Sequence, residues 1–208
     1  MDLARTERQA ICDTLLTAGP DAPTLCAGWT TGDLAAHLWV RENELPAVAA
    51  IMLSRKHQAA LRMAEARSRL SFAALVAELR RGPRRLSPLR FPGLDERANA
   101  LEFFVHHEDV RRAGPDPLPP RQLPAESEEE LWAILKRAAR LLFRGAPFGV
   151  DLETPDGRVL PVRRRRHVTV VGEPGELLLW ATGRTTAAHV RVLGDPSAVA
   201  RLTARLGI

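Results

Sequence analysis

Helix-period patterning runs from the N-terminus to about residue 145, breaks at Gly145 and Pro147, and gives way to short apolar runs bounded by turn residues. That switch constrains the fold more than any other feature. It predicts an α+β chain: a helical bundle over residues 1–146, then a small α+β domain over 147–208. Within the first part, residues 2–18 read as a helix with Leu3, Ala10, Leu15 and Leu16 as core contributors and Gly19-Pro20 as its stop. Thr30-Thr31-Gly32-Asp33 fits a capping box, Thr30 at the N-cap and Asp33 three residues on, opening a helix from about Thr31 to Leu53. A shorter helix starts at Ser71 and ends near Gly82-Pro83, and Asp95 to Arg112 is a strong helix ended by Gly114-Pro115. The proline-rich stretch from Gly114 to Pro124 cannot be helical throughout. Ser127 to Glu130 then puts acids at the positive end of a helix reaching about Arg144. Beyond the switch, Val150 to Glu153, Val159 to Val171, Leu177 to Ala181 and Val190 to Leu193 read as strands. Asp156-Gly157 is a hairpin signal, Gly172 to Gly175 a second turn, and Ser197 to Leu206 a closing helix.

Composition narrows the function classes. No apolar run reaches the roughly 18 residues that cross a bilayer, and MDLARTERQ lacks a signal peptide's apolar stretch, so the expectation is no membrane span and a cytoplasmic protein. Two cysteines, Cys12 and Cys26, do not make a disulfide framework. A net charge of +5 raises the question of nucleic acid, yet Lys56 and Lys136 are the only lysines. An arginine bias beside abundant alanine, leucine and proline is that of a GC-rich genome. The run Arg163 to Arg166 would alternate between the two faces of a strand, and no aromatic residues interleave it for base stacking. It reads as a charged edge strand, and no nucleic-acid partner is expected.

The chemistry concentrates in two helices. At about 100° per residue, Glu102, His106 and Asp109 share one helix face, while His107 points elsewhere as a surface or packing residue. The expected core stripe, Ala98, Leu101 and Val105, runs beside that polar trio, and polar groups bordering a core need partners. A metal ion is one such partner, because a carboxylate and an imidazole one turn apart can grip the same ion. The earlier helix carries Asp33, His37, Arg41 and Glu44 at the same spacing, with His37 inside the apolar run Leu34 to Trp39. His37, Glu102 and His106 together make a three-ligand set with an open position, the arrangement of catalytic rather than structural zinc. Each residue also has a plainer reading. Asp33 serves as a helix cap, a buried His is more often hydrogen-bonded than metal-bound, and Cys26 reads as a small buried hydrophobe rather than a redox thiol. Arg41 lies one turn beyond His37 and can hold an anionic substrate or a thiol's carboxylate, or can be a solvated helix residue. Arg184 reads as a turn-exit arginine, with reach toward the bundle as the other option.

GWTTGDLAAHL resembles the helix motif of the mycothiol-dependent maleylpyruvate isomerase family, within the wider superfamily of DinB-like four-helix bundles. NALEFFVHHEDVRRAG resembles that family's later helix, a glutamate four residues before a histidine with an aspartate three further on. LLLWATGR followed by VRVLGDPSAVARL resembles the small C-terminal domain often attached to these bundles, so the likeness spans nearly the whole chain. The resemblance implies an up-down four-helix bundle binding a divalent metal, usually zinc, through His37, Glu102 and His106, with Asp109 orienting a ligand. Ni2+ and Fe2+ also suit that donor set. It also implies mycothiol as cosubstrate, in isomerisation or thiol transfer on a small electrophilic or anionic substrate. A metal with an open position stabilises a thiolate, which in an isomerase adds to a conjugated double bond, allows rotation, and leaves. The arginine-rich composition suits an actinobacterial source, where mycothiol is the expected thiol. A monomer or homodimer fits this reading.

Two other readings stay open on the residues alone. One is a metal-dependent hydrolase with a bound water and either Asp109 or Glu44 as base; the sequence lacks HExxH. The other is a non-enzymatic, zinc-stabilised interaction module, which would unfold or release a partner on losing metal.

Overall fold

The computed structural model describes residues 3–43, 56–83, 94–162 and 166–206. Eight helices and a four-stranded sheet occur among them. Contacts divide the chain into two compact units, Asp2–Leu118 and Pro119–Ile208.

The first unit is helical: α1 (Leu3–Ala18), α2 (Thr31–Asn43), α3 (Lys56–Arg69), α4 (Phe72–Arg81) and α5 (Leu94–Arg111). In α1 the buried residues Leu3, Ala4, Glu7, Arg8, Ile11, Cys12 and Leu15 recur at the three-four spacing of one helix face. Leu16, expected in the core, falls off that face and is 49% exposed, and Ala10 is half-buried. The capping box is present in both directions: Thr30 N–H donates to Asp33 Oδ2 at 3.0 Å, and Asp33 N–H to Thr30 Oγ1 at 3.3 Å. Thr30→Ala should therefore cost about 1 kcal/mol in urea denaturation; a loss under a few tenths would mean the cap adds nothing. The stretch of the expected 31–53 helix beyond Asn43 lies outside the described residues, and so does Glu44.

Helix α2 is buried continuously from Leu34 to Val40. Its Leu34, Ala35 and Leu38 join Ile11, Leu15, Val76, Leu79 and Phe103 in one apolar cluster, while Ala36, Trp39 and Val40 join Met63, Ala66 and Leu75 in another. A helix with apolar neighbours on opposite sides has no solvated face to spare, which is how His37 comes to be buried. Helix α5 is likewise buried at every position from Phe103 to Val110. Of the expected stripe of Ala98, Leu101 and Val105, Val105 is buried, Leu101 is only half-buried and Ala98's side chain lies outside the described residues; Phe103 and Phe104 are buried beside Val105. Helix α4 begins with Ser71 Oγ accepting from Ala74 N–H and ends at Gly82, as its sequence predicts.

The second unit holds α6 (Ala125–Leu142), β1 (Gly149–Glu153), β2 (Val159–Pro161), β3 (Arg166–Val171), α7 (Pro174–Ala181), β4 (Arg191–Gly194) and α8 (Pro196–Leu206). The strand order is β2-β1-β3-β4, with β1 and β3 parallel and the other pairs antiparallel. Val150, Leu152, Val168 and Val170 turn to the buried side at period two. The Asp156-Gly157 hairpin forms between β1 and β2, with Gly157 at φ 87, a conformation that favours glycine. Leu177–Ala181, read as a strand, is instead the body of α7. Pro174 sets its first turn, and a five-residue apolar run buried on all sides carries no period that separates strand from helix. Arg166 opens the interior strand β3 and pairs with Gly149, so it is not on an edge; Arg163 to Arg165 lie outside the described residues. Helix α6 falls in the second compact unit, Pro119–Ile208. The reason is packing: α6 buries Leu131, Trp132, Ile134 and Leu135 and lies against α7, where Phe143 stacks on Trp180 at 6.2 Å. Its Glu128 accepts the Gly175 N–H at 3.1 Å, an acid at the positive end of α7. No described helix is long and apolar enough to cross a membrane.

Candidate metal centre

Because α2 and α5 are both buried, the polar residues on them must satisfy one another, and three of them converge. His37 from α2, and Glu102 and His106 one turn apart on α5, each place a ligand atom within 4.8 Å of the other two. The two imidazole centroids are 5.3 Å apart with ring planes at 76°, and His106 Nε2 is 3.5 Å from Glu102 Oε2. Both histidines are buried, and Glu102, 31% exposed, is the solvent-facing member.

The charge states follow from the surroundings. Burial, helped by the neighbouring His106, pushes His37 down to about 3, so at neutral pH it is an uncharged imidazole with a free lone pair. Burial works against ionisation of Glu102, but the hydrogen bond from His106 and the charge of Arg41 outweigh it and hold the carboxyl well below its usual range. Burial also opposes a charge on His106, yet its hydrogen bond to Asp109, with those to Cys26 and Glu102, carries it well above its usual value.

Around these three stands a support of further polar residues. His106 Nδ1–H donates to Asp109 Oδ2 at 2.8 Å, which leaves Nε2 as the nitrogen 3.5 Å from Glu102 Oε2 and available to an ion. This is the carboxylate–histidine pairing that fixes tautomer and ring direction in metal sites. Arg41 donates through Nη1 to Asn99 Oδ1 and brings Nε to 3.6 Å from Glu102 Oε2. Asn99, fully buried, donates in turn to Glu42 Oε1 at 3.0 Å, and Glu42 Oε2 accepts from Arg8 Nη1 at 2.6 Å. Arg41 thus sits at one end of a network that reaches α1. Two nitrogen donors and one carboxylate oxygen, with a supported imidazole, form a chemically suitable set for a divalent ion of the zinc type.

Other sequence candidates are placed elsewhere. His107, read as a surface or packing residue, is buried and bridges α5 to α1, its Nδ1 3.0 Å from Glu7 Oε2 and its Nε2 2.9 Å from Thr14 Oγ1. Asp33 caps α2 and pairs with Arg67 on α3. Arg184 folds back onto its own turn, donating to the Thr182 carbonyl at 2.7 Å. Sequence reasoning missed Arg8, Glu42 and Asn99. A signal for Arg8 existed: it occupies the Ala4–Ile11–Leu15 spacing, so a charge there has to be buried. It also missed Trp29, whose ring lies 5.1 Å from that of His37, and the second grouping of Cys26 with His106 and Asp109.

No family model matches the chain, and no curated protein does. Among solved structures, the crystal structure of the mycothiol-dependent maleylpyruvate isomerase is matched over 93% of this chain and 91% of that one, at 18% identity and a TM-score of 0.49. That likeness assigns no residue role.

Proposed function

We propose that the chain binds one divalent metal ion, zinc by its donor set, through His37, Glu102 and His106 on a DinB-like helical bundle. We further read it as an enzyme that uses a low-molecular-weight thiol, mycothiol, in isomerisation or S-transfer on a small electrophilic or anionic substrate. One observation carries the metal reading: two buried imidazoles, one neutral and one braced by Asp109, meet an ionised carboxylate with all ligand atoms within 4.8 Å. The thiol part rests on the motif resemblance. When bound with an open position, the ion would stabilise a thiolate at neutral pH. The protein's own residues do the holding: Asp109 aims His106, and Arg41, which the sequence left as either an anion holder or a solvated helix residue, orients Glu102 while tied to Asn99.

The hydrolase reading needs a base beside the metal. Asp109 is fully buried and its Oδ2 already accepts from His106 and Cys26, which commits it to positioning rather than to activating water. The interaction-module reading needs a fold that depends on metal, against which stands the apolar core built on Leu34, Leu38 and Phe103.

Elemental analysis of untagged protein should find about one zinc, nickel or iron per chain, and the loaded protein should show a calorimetric binding isotherm with mycothiol. Absence of metal even after reconstitution would end the proposal; metal without thiol binding would end only its thiol half. A pH dependence follows as well. The bonds to Asp109, Cys26 and Glu102 raise His106 well above its usual value and so favour the protonated ring, which must release the Nε2 proton to ligate; uptake near neutral pH should therefore liberate up to about one proton. Affinity should fall roughly tenfold per unit as pH drops, because a one-proton equilibrium opposes binding. Proton release measured by titration in two buffers of different ionisation enthalpy checks this, and zero release would contradict it.

A further inference from the structure

We infer that the loop from Pro20 to Thr30 is a clasp for the metal site and that Cys26 is a positioning residue for His106. The inference rests on the metal reading proposed above. Leu25 N–H donates to the Asp109 carbonyl at 3.0 Å, and the Cys26 thiol donates to Asp109 Oδ2 at 3.2 Å. The same Oδ2 takes the His106 Nδ1–H at 2.8 Å, so one carboxylate oxygen joins thiol and imidazole.

The loop is built to hold that thiol in place. Thr24 Oγ1 accepts from Cys26 N–H at 3.2 Å and donates to the Trp29 carbonyl at 2.9 Å, while Trp29 N–H donates to the Cys26 carbonyl at 3.0 Å. Thr31 N–H bonds the Ala22 carbonyl at 2.9 Å and Gly32 N–H the Pro20 carbonyl at 2.8 Å. That approach is close enough that a Cβ on residue 32 would meet the Pro20 oxygen at 2.9 Å, which is why glycine stands there. From this frame Trp29 lays its ring 5.1 Å from His37, so a single loop braces both histidines.

A carboxylate that accepts two donors on one oxygen has less freedom to rotate than one held by imidazole alone. Its direction sets the His106 tautomer and aims Nε2 at Glu102 and His37. Cys26 also lies close enough to be a ligand itself, with Sγ 3.9 Å from His106 Nδ1. An ion shared with Cys26, whose Sγ faces His106 Nδ1 at 3.9 Å, would take Nδ1 and so break its 2.8 Å bond to Asp109 Oδ2. An ion on His37, Glu102 and His106 uses Nε2 and leaves that bond whole, so the positioning role is the one the geometry favours.

Cobalt(II) titration of the full chain against a competing chelator, for wild type, Cys26→Ala and Cys26→Ser, tests the clasp. Cys26→Ala should weaken cobalt binding on the order of tenfold with an unchanged d–d spectrum, and Cys26→Ser, which keeps a donor, should restore most of the loss. In parallel, NMR of the metal-free protein should show the His106 Nδ1–H protected from exchange in wild type, exposed in Cys26→Ala and protected again in Cys26→Ser. A sulfur-to-cobalt charge-transfer band in wild type that Cys26→Ala abolishes would make Cys26 a ligand and overturn the proposal. Equal cobalt affinity and equal Nδ1–H protection in all three proteins would overturn it too. If wild type takes up no cobalt, the metal reading fails, and the NMR comparison alone decides whether Cys26 positions His106.

Discussion

His106→Ala is expected to abolish stoichiometric metal, weakening the apparent affinity by more than about 100-fold. Losing a residue that merely supports a ligand costs 10 to 100-fold, and loss of one of only three ligands should exceed that. His106 is also the residue on which the site turns, since its Nε2 lies 3.5 Å from Glu102 and its ring 5.3 Å from that of His37, while its Nδ1 is held by Asp109. His37→Ala should give the same loss of metal, because the two imidazoles approach from different helices and neither can substitute for the other. The variants should differ in stability. His106→Ala strips a buried carboxylate, Asp109, of one donor, whereas His37→Ala removes an uncharged ring. Metal content and competition titration on both variants, with circular dichroism to verify the fold, are the measurements. A folded His106→Ala protein that keeps a full equivalent of metal would place the ion elsewhere.

Glu42→Ala should destabilise the first unit by about 3–5 kcal/mol, the cost of breaking a buried ion pair from one side. Arg8 and Glu42 are 4% and 1% exposed, and their contact is 2.6 Å. Removing the carboxylate takes away the 2.6 Å charged contact and leaves the guanidinium beside the Leu79 carbonyl at 3.3 Å and the Phe103 ring at 4.6 Å. The Asn99 amide loses the Glu42 acceptor at the same time. The pair itself need not add net stability: a double replacement, Arg8→Met with Glu42→Leu, should fall within about 1–2 kcal/mol of wild type, because apolar residues of similar volume avoid the desolvation penalty. Urea denaturation of the single and double variants reads both effects. A single-variant loss below 1 kcal/mol would show that the charge is relieved by water or by rearrangement. Since Asn99 also holds Arg41, and Arg41 faces Glu102, Glu42→Ala should lower metal affinity as well as stability.

Much of the fold could be read in advance, and the reasons are local. Capping box, stop signals and hairpin turn depend on residues a few positions apart, and Thr30–Asp33, Ser71, Gly82 and Asp156-Gly157 all do what short-range chemistry requires. Leu177–Ala181 failed because a short run with no polar side has no period. On α5 Val105 is buried as expected but Leu101 is not, because packing on all sides from Phe103 to Val110 erases a one-faced pattern.

The candidate centre divides in the same way. The spacing of Glu102, His106 and Asp109 along one helix determines by itself that they share a face, since 3.6 residues per turn leaves no choice. Only the tertiary structure brings His37 to them, through the packing of α2 and α5 within one core, and only it closes the Pro20–Thr30 loop over Asp109. Contacts made along a helix are encoded within a turn of sequence. Those between Cys26 and Asp109, or between Glu42 and Asn99, join residues 83 and 57 positions apart, and depend on how whole helices pack to bury their apolar surface.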